Sequence, residues 1–249
     1  MSAQDEGELE FYCGSLGSGK TSFAFERGLE HLIKGGTVVT NIEFYPEKIE
    51  VWMREKYGLK FDPTRLVKFE DGVDFWKSAV VGAEGLKSMF ILDETHVEHG
   101  ARSWEKTSKE ETMFNTMVRK LRIHMIYITQ DINNVDKQFR RMAQKIWYCR
   151  NARQYSFCGV ISFPFNLFFR VPYTCGPGVP PKAGSPEVTL HPTSWGLFNS
   201  HSLVGRAAQT FSMLKTAASS PLQRIPRPVK PVSPLLWGAA AAALLLVLR

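Results

Sequence analysis

The feature that most constrains the fold is a glycine-rich octapeptide close to the start of the chain. Residues 14–21 have the sequence GSLGSGKT, which matches G-x-x-x-x-G-K-[ST], the phosphate-binding loop or P-loop. A short alternating run at 9–13 predicts a strand before the loop, and apolar residues at helical spacing within 22–34 predict a helix after it. This order of strand, glycine loop and helix predicts a nucleoside triphosphate site in an α/β domain.

The residue types of the loop suit the binding of phosphate groups. Glycines let successive backbone N–H groups point inward, and the following helix directs its positive end at the same anion. We expect Lys20 to reach the β- and γ-phosphates of ATP, and Thr21 to hold Mg²⁺. An ordinary glycine turn is the alternative. The predicted nucleotide-binding residues are Gly14, Ser15, Leu16, Gly17, Ser18, Gly19, Lys20, Thr21 and Ser22.

The chain continues as a repeating β/α pattern. Strands are predicted at 9–13, 37–41, 66–69, 88–92, 124–129 and 145–148. Helices are predicted at 22–34, 46–57, 73–81, 109–121 and 136–142. This alternation predicts an α/β fold with a mostly parallel central sheet flanked by helices on both faces, and ligands at the carboxyl ends of the strands.

The region after the last predicted parallel strand has a different composition. Residues 153–173 are rich in aromatic and β-branched side chains, which predicts added strands or a hairpin at the sheet edge. Residues 175–186 predict a Gly/Pro loop, and 193–208 predict a short strand and a helical turn. We therefore expect a P-loop NTPase domain over 1–205, of which 153–205 is a β-rich extension.

Two predicted strands end in polar side chains that suit nucleotide chemistry. The apolar run 89–92 leads into Asp93 and Glu94, the Walker B pattern. Asp93 is expected to organise Mg²⁺ and Glu94 to act as the general base for the attacking water. Gln130 ends the next strand and could contact the γ-phosphate or this water. Solvated acids at an ordinary strand end, and an amide that only caps a strand, are the alternatives.

A basic stretch follows the strand that ends at Gln130. Residues 137–153 carry six Lys or Arg side chains and no acid. Arg140 or Arg141 could act in trans as an arginine finger on the nucleotide of a neighbouring subunit. Other basic side chains, with Arg119, Lys120 and Arg122, could line a channel for a nucleic-acid backbone. A solvated charged face is the alternative.

The histidines and cysteines do not predict a metal site. His96 and His99 follow the Walker B pattern, but no third ligand stands at a suitable spacing. The four cysteines lack a C-x-x-C pair. We interpret the cysteines as reduced thiols of a cytoplasmic domain, and Cys13 as a small apolar residue in the strand before the P-loop.

The C-terminal part of the chain carries most of the net charge of +7. After Glu187 there are six basic residues and no acidic one. Residues 206–233 predict a Pro-rich basic linker, and the apolar residues 234–249 predict a single transmembrane segment. The basic residues before this segment predict that the NTPase domain stays in the cytoplasm. A buried helix hairpin is the alternative.

The P-loop, the Asp-Glu strand end and the Thr-Gln strand end, all ahead of a C-terminal apolar segment, resemble the zonula occludens toxin family. That family includes the assembly and export ATPases of filamentous phages. The resemblance covers roughly residues 9–205, including RKLRIHMIYITQ at 119–130 and the aromatic-Asn-Ser element at 195–201.

This resemblance implies an ATPase of the host inner membrane that works as a homo-oligomeric ring. It further implies that the ring drives virion assembly and DNA extrusion, contacting viral DNA through its backbone and binding phage assembly or coat proteins. A DNA-packaging ATPase of a membrane-containing icosahedral phage, a nucleotide-binding membrane scaffold and a soluble nucleotide or small-molecule kinase are the alternatives.

Overall fold

The computed structural model describes part of the chain. The described residues are 7–69, 88–93, 109–135, 137–157, 161–162, 165–176, 179–190, 192, 194 and 196–199. The predicted helix at 73–81, the linker at 206–233 and the apolar segment at 234–249 therefore lie outside the described residues. The same holds for Glu94, His96, His99 and Cys158.

A mostly parallel sheet forms the centre of the domain. Its parallel strands lie side by side in the order β7-β1-β6-β5-β2-β4. Their bounds are β1 Leu9–Cys13, β2 Thr37–Thr40, β4 Leu66–Lys68, β5 Ser88–Leu92, β6 His124–Thr129 and β7 Lys145–Asn151. The predicted strands are confirmed, and β7 runs three residues further than the sequence predicts.

Helices cover both faces of this sheet, as predicted. They are α1 Lys20–Ile33, α2 Pro46–Tyr57, α3 Lys109–Leu121 and α4 Lys137–Met142. Side chains of α1 and α2 belong to one apolar cluster, and those of α3 and α4 belong to the other. The helix over 46–57 begins at a proline and ends before Gly58, whose φ of 66° suits a glycine.

Successive side chains of a central strand pack against helices on opposite faces of the sheet. Along β6, Ile126 and Ile128 pack into the cluster of α1 and α2, whereas Met125 and Tyr127 pack into the cluster of α3 and α4. Successive side chains of a strand point to opposite faces, so a strand covered on both sides must be apolar throughout. All five residues of β5 are buried.

Antiparallel strands extend the sheet beyond β7, as the aromatic composition of this region predicts. Strand β10 pairs with β7 along seven positions. In turn, β11 and β12 each pair with β10, and short pairs form between β3 and β13 and between β8 and β9. The bounds are β3 Glu43–Phe44, β8 Ser156–Phe157, β9 Ile161–Ser162, β10 Phe168–Gly176, β11 Val179–Ala183, β12 Glu187–Thr189 and β13 Phe198–Asn199.

The Gly/Pro loop predicted over 175–186 is wrong for much of its length. Strand β11 lies within this range and contains Pro180 and Pro181. Proline lacks an N–H donor, which normally argues against a strand. Here β11 lies at the edge of the sheet, and its pairing with β10 is irregular between Thr174 and Gly176, opposite the two prolines. One proline can face the open side, and both fall between the regular pairs Thr174–Lys182 and Gly176–Val179.

Within the described residues, no helix combines the length and the apolar character needed to cross a bilayer.

Candidate nucleotide-binding site

The P-loop lies between the end of β1 and the start of α1, at the carboxyl end of the central parallel strands. Gly17 and Gly19 have φ angles of 75° and 87°, which are left-handed values that side chains with a Cβ rarely adopt. Gly14 allows a close approach, because a Cβ there would lie 2.2 Å from the carbonyl oxygen of Cys149. The glycines of the motif are therefore required by the backbone itself.

Lys20 is folded back over the loop that precedes it. Its side chain is buried, and its Nζ donates a hydrogen bond to the carbonyl oxygen of Ser15 at 2.9 Å. The backbone N–H of Ser18 donates to the same carbonyl at 3.2 Å. The ammonium group of Lys20 therefore lies against the loop that the sequence predicts to bind phosphate.

Thr21 and Asp93 are in contact although 72 positions separate them in the sequence. The Thr21 hydroxyl donates to Oδ2 of Asp93 at 2.9 Å. Strand β6 lies between β1 and β5, so the first turn of α1 reaches over the end of β6 to the end of β5. The two residues predicted to bind Mg²⁺ are thus brought together at one point.

Asn41 holds Asp93 through two reciprocal hydrogen bonds, and the sequence analysis missed it. The Asn41 side-chain amide donates to the backbone carbonyl of Asp93 at 3.1 Å and accepts from its N–H at 2.9 Å. Asn41 directly follows β2, the strand beside β5, and it is buried. An amide at the end of a strand next to the Walker B strand is the signal that could have revealed it.

Gln130 lies beside the beginning of the P-loop. Its backbone carbonyl accepts a hydrogen bond from the N–H of Gly14 at 3.2 Å, and its side chain is exposed. The hydroxyl of Thr129 donates to the backbone carbonyl of Asp131 at 3.1 Å. The structure thus brings Gln130 next to the P-loop through its backbone, and the residue is exposed to solvent.

The two arginines predicted as fingers lie on α4, away from the P-loop of their own chain. The Arg140 guanidinium donates to Oδ1 of Asn133 at 3.2 Å, whereas Arg141 is exposed. Gln144, just after α4, pairs through its backbone N–H with the carbonyl of Leu9, at the end of β1 that is remote from the P-loop. Both arginines could therefore act on a nucleotide only in another subunit.

The side chains of the basic patch predicted to bind nucleic acid are only partly described. Lys120 and Arg122 are exposed, and Arg122 has a φ angle of 55°; the side chain of Arg119 lies outside the described atoms. Arg150 and Arg153 are exposed next to the P-loop. The described groups are accessible to a polyanion.

The cysteines that flank the P-loop are packing residues. Cys13 and Cys149 are each only 1% exposed to solvent. Burial raises the pKa of the Cys149 thiol to about 12 and raises the pKa of the Cys13 thiol well above its usual range. Both groups are therefore neutral at physiological pH and do not act as nucleophiles.

A parallel sheet with helices on both faces, a P-loop after β1 and an aspartate at the end of β5 define a P-loop NTPase-like α/β protein. The sequence model of the Zonular occludens toxin (Zot) family matches residues 8–158, which is more than half of the chain. The chain belongs to the Zot family.

Relatives of known name match the same part of the chain. The Gene 1 protein of Enterobacteria phage I2-2 is 29% identical over 145 residues, covering 55% of this chain and 38% of that protein. The Gene 1 protein of Enterobacteria phage f1 is 25% identical over 148 residues, covering 56% and 41%. The match thus spans about two fifths of the length of these relatives.

Among solved structures, the N-terminal domain of zonular occludens toxin from Neisseria meningitidis aligns with 78% of this chain and 100% of that chain. The TM-score is 0.48 and the sequence identity is 18%.

Proposed function

We propose that this protein is an ATPase that binds ATP with Mg²⁺ in the P-loop and uses its hydrolysis to drive phage virion assembly and DNA extrusion. The observation that carries the ATPase proposal is the contact between the Thr21 hydroxyl and the Asp93 carboxylate. It joins the P-loop to the Walker B strand end within the part of the chain that matches the Zot family. Assembly and extrusion rest on the resemblance to phage assembly ATPases.

The side chains at this point fit a magnesium triphosphate. A hydroxyl and a carboxylate are the hard oxygen ligands that Mg²⁺ prefers, and the loop supplies backbone N–H groups and an ammonium for phosphate oxygens. Bound Mg²⁺ would neutralise charge on the phosphates. Lys20 would exchange its bond to the Ser15 carbonyl for a phosphate oxygen, and Asn41 would keep Asp93 oriented.

Glu94 and Gln130 complete the proposed reaction. We propose Glu94 as the general base, because it directly follows Asp93 in the Walker B pattern. The exposed amide of Gln130 is proposed to contact the γ-phosphate or the attacking water. In the sequence, Glu94 comes two positions after β5 and Gln130 comes directly after β6. Both roles therefore require a water molecule near the ends of these two strands.

Hydrolysis by the purified full chain tests the proposal. Lys20→Ala should abolish binding of a fluorescent ATP analogue as well as hydrolysis, whereas Glu94→Gln should retain binding and lose hydrolysis by about 10²-fold or more. Glu55→Ala, on the exposed side of α2, is the matched control and should change neither. Unchanged turnover in both site variants, with native circular dichroism, would favour a nucleotide-binding scaffold.

We further propose that residues 234–249 anchor the protein in the host inner membrane, with the NTPase domain in the cytoplasm. The apolar sequence and the basic residues before it support this topology. Carbonate extraction of host membranes should leave the full chain in the pellet and release a version that ends at residue 233. Release of both versions would contradict an integral anchor.

The same protein could move DNA out of the cell or into a capsid, and purified virions distinguish these directions. We propose export, so the protein should remain in the host membrane and be absent from finished particles. Its presence in the particles at stoichiometric amounts would favour packaging. Its affinity for DNA should fall steeply with salt and show little sequence preference, because backbone phosphates are the proposed contacts.

A further inference from the structure

Carbonyl groups of the P-loop accept hydrogen bonds at three successive residues. A phosphate cradle points its N–H groups inward, so the carbonyls that face away from it need donors from other parts of the chain or from water. Lys20 and the Ser18 N–H donate to the carbonyl of Ser15. The side-chain amides of Gln154 and Asn151 donate to the carbonyls of Leu16 and Gly17, the latter at 3.4 Å.

Gln154 contacts the loop at two points through one amide group. Its Nε2 donates to the Leu16 carbonyl, and its Oε1 accepts from the Ser15 hydroxyl at 2.7 Å. The Leu16 side chain is 79% exposed, so apolar packing does little to fix the backbone at this residue. The hydrogen bonds of Gln154 therefore support the loop at a residue whose own side chain contributes little packing.

Asn151 fixes the turn from which Gln154 projects. The residues 152–154 form a 3-10 turn directly after β7, and Oδ1 of Asn151 accepts from the Arg153 N–H at 3.1 Å. Its Nδ2 group also donates to Oδ1 of Asn166 at 3.0 Å, and the residue is only 5% exposed. The side-chain oxygen of Asn151 thus caps the turn, and its side-chain nitrogen donates to the carbonyl of Gly17.

We propose that Asn151 and Gln154 are positioning residues that hold the P-loop in its phosphate-binding conformation from outside the motif. The proposal rests on the proposed function in that the loop binds phosphate groups. Neither residue is among the site residues predicted from the sequence. Both contact backbone carbonyls of the loop. Loss of either amide is expected to loosen the loop without removing any group that contacts nucleotide directly.

Amide hydrogen exchange without nucleotide tests this role independently of ATP binding. In Gln154→Ala, the Ser18 N–H, which is bonded to Ser15 within the loop, should exchange about fivefold faster or more, as expected for losing two supporting hydrogen bonds. The Gly14 N–H is bonded to Gln130 instead and should exchange at the unchanged rate. Glu55→Ala should change neither amide.

Two further variants address each contact separately. Asn151→Asp keeps an oxygen for the Arg153 N–H but places an acceptor against the Gly17 carbonyl, so it should also speed exchange at Ser18. Ser15→Ala removes the bond from the Ser15 hydroxyl to Gln154. Ser15→Ala and Gln154→Ala should each weaken the affinity for ADP. The double variant should weaken it by clearly less than the product of the two single fold-changes, because both substitutions remove the same hydrogen bond.

The outcomes separate the two proposals. Unchanged exchange at Ser18 in both Gln154→Ala and Asn151→Asp would overturn the positioning role, whatever the ADP affinities. A different result is faster Ser18 exchange in the variants together with a wild-type protein that binds neither ADP nor ATP. This result would support the positioning role and contradict the proposed function. An ADP affinity in Gln154→Ala within twofold of wild type, in a protein where Lys20→Ala abolishes binding, would also overturn the positioning role.

Discussion

Glu10 is a buried carboxyl group in the strand that leads to the P-loop. It is 2% exposed, and its Oε2 accepts a hydrogen bond from the indole N–H of Trp147 at 3.0 Å. Arg27 and Lys145 lie 3.9 and 3.8 Å from its Oε1. Burial raises the pKa of Glu10 in spite of these two cations, so the charged form is disfavoured in the folded protein.

Glu10→Gln should therefore change how stability depends on pH. A raised folded-state pKa means that wild type loses stability as pH rises from the unfolded pKa, about 4.3, through the folded one. Gln retains an acceptor for Trp147 and does not ionise. The free energy of unfolding of Glu10→Gln, measured with urea, should thus rise relative to that of wild type as pH increases above about 4.3.

Glu8→Gln is the matched comparison, and it should shift in the opposite direction. Burial opposes ionisation of Glu8, but its hydrogen bond with Glu10 and the nearby Lys145 ammonium lower its pKa overall. Wild type should gain stability relative to Glu8→Gln as pH rises above the folded pKa. The same pH trend for both variants would contradict the burial argument for Glu10.

Gly14 and Gly17 differ in what a methyl group would meet. At Gly14, a Cβ would lie 2.2 Å from the backbone carbonyl of Cys149, which cannot move without shifting β7. At Gly17, where φ is 75°, the nearest atom is Nε2 of Gln154 at 3.2 Å, at the end of a flexible side chain. The first position is limited by space and the second by backbone conformation.

Gly14→Ala should therefore destabilise the protein more than Gly17→Ala. We expect Gly17→Ala to cost about 1–2 kcal/mol of unfolding free energy and Gly14→Ala to cost about 3 kcal/mol or more. Urea unfolding monitored by tryptophan fluorescence would give both values. Equal costs would show that β7 adapts to the added methyl group.

At the scale of elements, Arg170 joins the antiparallel strand β10 to the start of α1. Its guanidinium carbon lies 4.8 Å from the ring centroid of Phe23 in α1 and 4.9 Å from that of Trp147 in β7. Its Nη2 and Nε contact Oε2 of Glu187 in β12 at 2.6 and 2.7 Å. One planar cation thus connects a helix and three strands.

Arg170→Lys should weaken this connection although it preserves the charge. An ammonium cannot stack between two rings and form the forked contact to Glu187 at once. We expect a loss of about 1–3 kcal/mol in unfolding free energy by urea titration. Glu187→Gln, at a more exposed carboxylate, should cost less than about 1 kcal/mol. If Glu187→Gln cost more unfolding free energy than Arg170→Lys, the stabilisation by Arg170 would come mainly from its ion pair and not from its contacts with the two rings.

At the scale of the whole molecule, the proposed ring makes a prediction about mixed subunits. Arg141 is exposed, whereas Arg140 is bonded to Asn133 of its own chain, so Arg141 is the better candidate for a finger in trans. Arg141→Ala alone and Lys20→Ala alone should both lose ATP hydrolysis. A mixture should regain part of it, because Lys20→Ala subunits supply the arginine and Arg141→Ala subunits supply the nucleotide site.

Two results would contradict this assignment. Full activity of Arg141→Ala alone would exclude Arg141 as the finger. Lost activity of Arg141→Ala with no recovery in the mixture, while Arg140→Ala does recover, would assign the role to Arg140. Hydrolysis is measured by phosphate release across a range of mixing ratios, with wild type mixed with Glu55→Ala as the control.

Much of the element pattern could be predicted from the sequence because it depends on local periodicity. The bounds of α2, α3, β5 and β6 follow from apolar spacing and from punctuating residues such as Pro46 and Gly58. The P-loop could also be predicted, since its glycines are fixed by backbone conformation. The edge strand β11 could not, because its position at the edge of the sheet and its irregular pairing with β10 together make Pro180 and Pro181 tolerable.

The sequence by itself determined the phosphate loop, the alternation of strands and helices and the carboxylate at the end of β5. These features depend on residues that are neighbours in the chain. Only the tertiary structure decided that Thr21 contacts Asp93, and that Asn41 just after β2 and Gln154 in the turn after β7 contact the site. Such contacts depend on the order of strands in the sheet, which joins residues 52 to 138 positions apart.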